Sequence, residues 1–183
     1  MKNLIILLII NVLLINKSIG QLYSTQSGET NFFSETPIEN ITASNKTVGA
    51  VLNVATKEMA VSMKMTAFDF PNKLMQEHFN ENYMESSKFP TGVFKGKILE
   101  NIDLTKNGVY DVTAKGQLTI HGVSQARDLK GKLTIENEKI SMICNFDIKL
   151  VDHKIEVPLL VFAKIAEVIS VKSKYIFTPY VKK

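Results

Sequence analysis

The chain has 183 residues, with 22 Lys and Arg against 18 Asp and Glu, a formal charge of +4, 45% hydrophobic residues and one cysteine. This is one domain's worth of sequence, long enough for a substantial core, and its scattered lysines form no block that would suggest a nucleic-acid surface. A lone thiol makes no internal disulfide, so the fold must rest on its core.

Residues 1–20, MKNLIILLIINVLLINKSIG, read as a secretory signal peptide. Lys2 supplies the charged start, Leu4 to Ile15 the apolar stretch, and Ser18 and Gly20 the small residues before Gln21. The apolar stretch is interrupted by Asn11 and falls short of the roughly 20 residues that span a bilayer. No cysteine sits at the cleavage point to carry a lipid anchor. The expected location is therefore periplasmic or secreted, with no membrane-spanning segment in the mature chain. Removing Lys2 and Lys17 leaves 20 basic residues against 18 acidic ones, a charge of +2.

Residues 21–30 are polar and read as a flexible N-terminus, with the folded domain over 31–183. Two short β-like pieces flank Pro37, Asn31 to Ser34 and Ile38 to Ala43. Asn40-x-Thr42 and Asn45-x-Thr47 are formal glycosylation sequons, relevant only in a eukaryotic secretory pathway. Two strands follow between Thr47 and Phe68, turning near Thr56 to Glu58. The second places Val61, Met63, Met65 and Ala67 on one face and Ser62, Lys64 and Thr66 on the other, the period of a half-buried antiparallel strand.

After Pro71-Asn72 the period changes. Leu74, Met75, His78, Phe79, Asn82 and Tyr83 fall on one side of a helix of three to four turns, with Gln76, Glu77, Asn80 and Glu81 opposite. Beyond Pro90 the strand pattern returns. Phe94, Gly96, Ile98, Ile102 and Leu104 form one face, broken by Glu100. Then, past the turn pair Asn107-Gly108, come Tyr110, Val112, Ala114, Gly116, Leu118 and Ile120. Leu129, Gly131, Leu133 and Ile135 continue after Gly122, and Asn137-Glu138 turns the chain into Met142, Cys144, Phe146, Ile148 and Leu150. Leu159 to Ala166 is an apolar run that reads as a helical turn, and Ile169, Val171, Ser173, Tyr175 and Phe177 alternate in the last strand.

About eight strands with one helix suggest an all-β antiparallel sandwich or closed barrel, and long strands with a lone helix favour the barrel. No catalytic motif stands out, and His78, His121 and His153 are not at metal-ligand spacing. No metal, cofactor or catalytic residue is therefore expected. His121 reads as a structural hydrogen-bonding residue at a strand end, and Cys144 as a buried structural thiol. Gly96, Ala114, Gly116 and Gly131 face inward. They could leave room for a ligand or simply let strands coil, and an eight-stranded barrel is compatible with either. Six methionines, Met59, Met63, Met65, Met75, Met84 and Met142, suit an adaptable lining or an ordinary core equally well.

Several stretches together resemble one family. These are Phe68-x-Phe70; Leu74-Met75-x-x-His78-Phe79-Asn80-Glu81-x-Tyr83-Met84-Glu85-Ser86; Lys88-Phe89-Pro90-x-x-x-Phe94-Lys95-Gly96; Gly116-x-Leu118-Thr119-Ile120-His121-Gly122-Val123; and Asp152-His153-x-Ile155-x-Val157-Pro158. The chain resembles the YceI-like family of exported bacterial proteins from about Asn31 to Phe177. The resemblance implies an extended lipocalin-like, eight-stranded antiparallel β-barrel whose interior holds a polyisoprenoid or similar long-chain lipid. Where that family usually follows Gly-Val with Thr-Lys, this chain has Ser124-Gln125. A basic residue that could meet an anionic head group is missing there, with Arg127 and Lys130 nearby.

The leading expectation is thus an exported, non-catalytic carrier or sequestering protein for an isoprenoid or fatty-acid-like lipid. The expected lining is Val61, Met63, Phe68, Phe70, Phe79, Tyr83, Phe94, Leu118, Ile120, Phe146 and Ile148, with the Phe68–Gly96 stretch capping the barrel mouth. Two other readings remain: a solidly packed barrel acting as an interaction module of the cell envelope, and a lipid-acting enzyme. No nucleic-acid partner is expected, and the oligomeric state is open, a homodimer included.

Overall fold

The computed structural model describes residues 22–157 and 165–181. Residues 1–20, read from the sequence as a signal peptide, and residues 159–164 of the apolar run read as a helical turn lie outside the described residues. Eight strands in chain order, β1 (Leu22–Glu35), β2 (Asn40–Asn53), β3 (Glu58–Lys64), β4 (Thr91–Ile98), β5 (Gly108–Ile120), β6 (Val123–Glu136), β7 (Lys139–Lys149) and β8 (Val168–Pro179), form a closed antiparallel barrel in which β8 pairs back onto β1. Closure leaves no free edge strand, which suits a sheet whose residues alternate between an apolar interior and a polar wall.

The N-terminus corrects the sequence reading. Residues 22–30 are not loose; they are the first half of β1, paired with β2 on one side and β8 on the other. Their inward positions are Tyr23, Thr25, Gly28 and Thr30. Because most of these are small or polar, the usual apolar alternation is missing and the strand was invisible to periodicity. The two short pieces around Pro37 are likewise the ends of two fourteen-residue strands. They are joined by a turn in which the Thr36 hydroxyl donates to the Glu39 carbonyl (2.9 Å) and accepts from the Glu39 amide (3.0 Å). Of the two sequons, Asn45 is fully buried with its amide donating to the Lys64 carbonyl (3.0 Å), which leaves only Asn40 accessible.

The second correction concerns β4, which ends at Ile98 rather than running on through Ile102 and Leu104. Glu100 marks the break: its carboxylate accepts from the Thr113 amide (2.8 Å), and its carbonyl accepts from Lys57 Nζ (3.0 Å). The following loop folds Leu104 back into the far end of the barrel, where it is 2% exposed. The inward glycines also behave differently from a cavity lining. Gly96 and Gly116 face one another across β4 and β5, and a Cβ on Gly116 would collide with the Lys95 carbonyl. They permit close strand approach in the packed part of the barrel.

The β3–β4 connection carries helix α1 (Lys73–His78), which continues into a π-helical turn over Phe79–Tyr83. Asn72 caps α1, its side chain accepting from the Leu74 amide (2.9 Å). The widened turn is closed by Met84 N–H to the Phe79 carbonyl (2.9 Å), and Ser86 bonds to Asn80 by backbone (2.7 Å) and side chain (2.8 Å). No residue of α1 or the π turn is buried. The helix therefore lies over the barrel end instead of inside it.

Candidate functional site: an apolar cavity under the helix

The interior divides into two levels. At the far end, the side with the β2–β3, β4–β5 and β6–β7 turns, Leu52, Ile98, Leu104, Leu133, Ile140 and Phe177 are packed with 2% exposure or less. At the other end, under α1, the barrel holds a cavity of about 380 Å³. That volume lies within the range of about 300–1,000 Å³ typical of small-molecule sites.

Its walls follow from strand alternation. Phe32 on β1, Met63 on β3, Leu118 and Ile120 on β5, Phe146 and Ile148 on β7, and Ile169 and Val171 on β8 all face it. The segment between β3 and β4 forms the roof, with Met65, Phe68, Phe70, Met75, Phe79, Tyr83 and Met84. An aromatic cluster ties roof to wall: Phe79 lies 5.6 Å from both Phe32 and Phe68 and 5.0 Å from Phe70, centroid to centroid.

Nine of the eleven residues expected from the sequence therefore lie on the cavity: Met63, Phe68, Phe70, Phe79, Tyr83, Leu118, Ile120, Phe146 and Ile148. Val61 and Phe94 do not; they pair with one another across β3 and β4 in the packed level. Alternation assigned their face correctly, but it carries no information about height along the barrel axis. Met63, Met65, Met75 and Met84 line the cavity, whereas Met59 and Met142 belong to the packed core. Of the expected helical stripe, Leu74, Met75, His78, Phe79 and Tyr83 face the cavity, Leu74 while 57% exposed, whereas Asn82 is exposed and does not line it. The sequence reading missed Thr30, Phe32, Ser34 and Ile41, which sit on strands broken by polar inward residues.

Polar groups are few. Glu39, Asn72 and His78 lie at the mouth, and Thr30 and Ser34 on the β1 wall. Ser34 Oγ accepts from the Ala166 amide (3.0 Å), which pins the chain entering β8. Gln125, Arg127 and Lys130 are not among the lining residues. The β6–β7 ladder runs only from Gly131 and Cys144 toward the far end. Above it, side chains bridge the seam: Gln125 Nε2 donates to the Asp152 carbonyl (2.6 Å) and Arg127 Nη2 to the Asp147 carbonyl (3.3 Å).

His121 is structural, as its strand-end position suggested. It occupies the β5–β6 turn with φ of 52°, followed by Gly122 at 72°. Its Nε2 meets Glu85 Oε2 at 2.7 Å and its Nδ1 meets the His153 carbonyl at 3.2 Å, so it joins the roof segment to the short 3₁₀ turn over Leu150–His153. His153 is fully buried, with Nδ1 3.1 Å from the Val123 carbonyl. Desolvation lowers its pKa below the ordinary value of 6.5. A neutral buried histidine stabilises the fold above its unfolded pKa, and that contribution is lost as pH falls through the lower folded value. Thermal stability should decline on acidification below about pH 6.5, and His153→Asn should flatten that decline in a melting series. Equal pH slopes in the two proteins would contradict the assignment.

Cys144 is buried, its thiol donates to the Lys130 carbonyl (3.3 Å), and burial pushes its pKa up to about 11. From its ordinary value of 9.0 this leaves about a hundredfold less thiolate at neutral pH. A maleimide should label native protein at least about a hundredfold more slowly than unfolded protein; comparable rates would show the thiol to be accessible. Among the described residues no group of three His, Cys, Asp or Glu is placed to hold a metal ion, and no helix is long and apolar enough to cross a membrane.

A closed eight-stranded barrel filled by side chains in one half and hollow in the other belongs to the class that can hold one small ligand. The family model described as YceI-like domain matches residues 18–177, and the chain belongs to that family. Solved structures agree on the fold. A polyisoprenoid-binding domain from Saccharophagus degradans, implicated in plant cell wall breakdown, superposes with a TM-score of 0.72 at 12% identity, covering 88% of this chain and 99% of its own. BcnA of Burkholderia cenocepacia gives 0.64 at 12% identity, covering 82% and 96%. The YceI protein of Campylobacter jejuni gives 0.58 at 22% identity, covering 72% and 81%. Comparison with curated proteins gives no match.

Proposed function

We propose that this protein is an exported, non-catalytic binding protein that holds a polyisoprenoid or similar long-chain lipid inside its barrel, as a carrier or sequestering protein. The observation that carries this reading is the 380 Å³ apolar cavity, closed at one end by packed core and roofed at the other by α1 and the π turn bearing Phe79 and Tyr83, neither of which has a buried residue of its own. Such a wall offers burial worth about 25 cal/mol per Å² of apolar ligand surface, before ordering costs, and little else. Family membership and the polyisoprenoid-binding relative support the ligand class. The composition of residues 1–20 supports export to a periplasmic or external location. The alternative of a solidly packed interaction module is disfavoured by the cavity itself.

The test is competition for a fluorescent fatty-acid analogue. A C15–C20 isoprenoid should displace the probe stoichiometrically, whereas a water-soluble fragment of it should not. A protein that binds neither probe nor isoprenoid would be acting through its outer wall.

A further inference from the structure

Both ring nitrogens of His121 face oxygens that carry no hydrogen. Nε2 lies 2.7 Å from Glu85 Oε2, and Nδ1 lies 3.2 Å from the His153 carbonyl. A carboxylate and a carbonyl only accept, whereas a neutral imidazole has a single N–H to donate. The two contacts are both hydrogen bonds only when the Glu85–His121 pair holds one proton more than a carboxylate and a neutral ring. Losing that proton sets a bare nitrogen against an oxygen, so the ring keeps only one of its two neighbours.

The roof is fastened differently at its two ends, and the pair sits at one of them. The roof's start is held by backbone: the Ser44 amide donates to the Asp69 carbonyl (3.0 Å) and the Asp69 amide to the Ser44 carbonyl (2.8 Å). Its end, the turn over Glu85–Phe89, reaches the β5–β6 turn through side chains alone among the described residues. Glu85 bonds His121, and Phe89 stands edge-on to the imidazole with 4.7 Å between ring centroids. Several charged groups surround the pair. Lys88 Nζ lies 3.9 Å from the other Glu85 oxygen, and Asp152, His153 and Lys154 belong to the facing 3₁₀ turn and its cap. Arg127 acts on His153 from β6. Among these side-chain types only histidine ordinarily changes charge near neutrality. Burial lowers the His153 pKa below 6.5, so that ring is predominantly neutral at higher pH.

We propose that Glu85 and His121 form a proton-dependent latch on the roof, so that the lipid is released more slowly near pH 6.5 than in mild alkali. The closed roof holds a proton that the open roof gives up, so closure is favoured at lower pH and weakened as pH rises and the ring loses its second proton. This inference rests on the lipid-binding reading above and adds regulation to it.

The test combines two readouts at about pH 6.5 and about pH 8.5, a window in which histidine is the side chain that ordinarily titrates. Ring ¹⁵N spectra should show both His121 nitrogens protonated at the lower pH and one at the higher. Release of N-phenyl-1-naphthylamine, an apolar dye whose charge is constant across the window, should be about fivefold faster at the higher pH, a modest factor because the Glu85 side chain is 43% exposed. Glu85→Gln suits a neutral ring, since its amide donates to Nε2 while Nδ1–H donates to the His153 carbonyl. It should therefore release slowly at both pH values. His121→Asn, compatible with the left-handed backbone at φ of 52°, should release fast at both. A bare His121 nitrogen at the lower pH, or a wild-type release rate that does not change, overturns the latch. So does a pH slope that persists in Glu85→Gln, which would place the titrating group elsewhere, His78 at the cavity mouth included. If the dye does not bind at all, the lipid-binding reading fails, and the ring spectra still decide the proton.

Discussion

Val171→Phe is expected to abolish lipid binding and leave the protein folded. Val171 faces the cavity from β8, so the added ring enters empty volume, and filling a void of this kind typically raises stability by about 0.5–2 kcal/mol. The matched control is Val48→Phe. Val48 is fully buried in the packed level, where inserting the same ring forces neighbours off their rotamers and costs about 1–3 kcal/mol or more. Denaturant melts with probe binding on both variants separate the two levels of the barrel. Similar destabilisation in both would mean that the space around Val171 is ordinary core.

Phe79→Ala combined with Tyr83→Ala should act the opposite way, speeding lipid release far more than it weakens the fold. Phe79 joins the roof to Phe32, Phe68 and Phe70, and Tyr83 faces the same cavity from the end of the π turn. Both are only half-buried, so the stability loss per ring should stay below the roughly 3–5 kcal/mol of a fully buried phenylalanine. A tenfold or greater rise in lipid off-rate with a smaller stability change would show that the helix retains the ligand. If the melt falls as steeply as retention, the segment is plain core.

Much of this arrangement was legible in the sequence, for identifiable reasons. Period-two alternation in β3, β5, β7 and β8 and the helical stripe from Leu74 to Tyr83 put the correct faces inward, because each side of those segments meets only one solvent. What alternation lacks is the second coordinate. Val61 and Met63 share a face two residues apart, yet one packs against Phe94 and the other borders the cavity. Only the register of the closed barrel sets that height. The other blind spot was β1, where Thr25, Thr30 and Ser34 point inward and conceal the strand. Thr30 and Ser34 are also polar members of the cavity wall, so the residues that hid the strand belong to the site that the sequence reading left incomplete. The Gly96–Gly116 pairing was similarly ambiguous: a small inward residue reads alike whether it makes room for a ligand or for a neighbouring backbone.

The most direct test of the central claim is extraction of the protein purified from its own host, followed by mass spectrometry of the organic phase beside intact native mass spectrometry. The account predicts one long-chain lipid per barrel, enriched over the Val171→Phe variant prepared in parallel. Native protein that is consistently empty, with the same lipid background in both preparations, would contradict it.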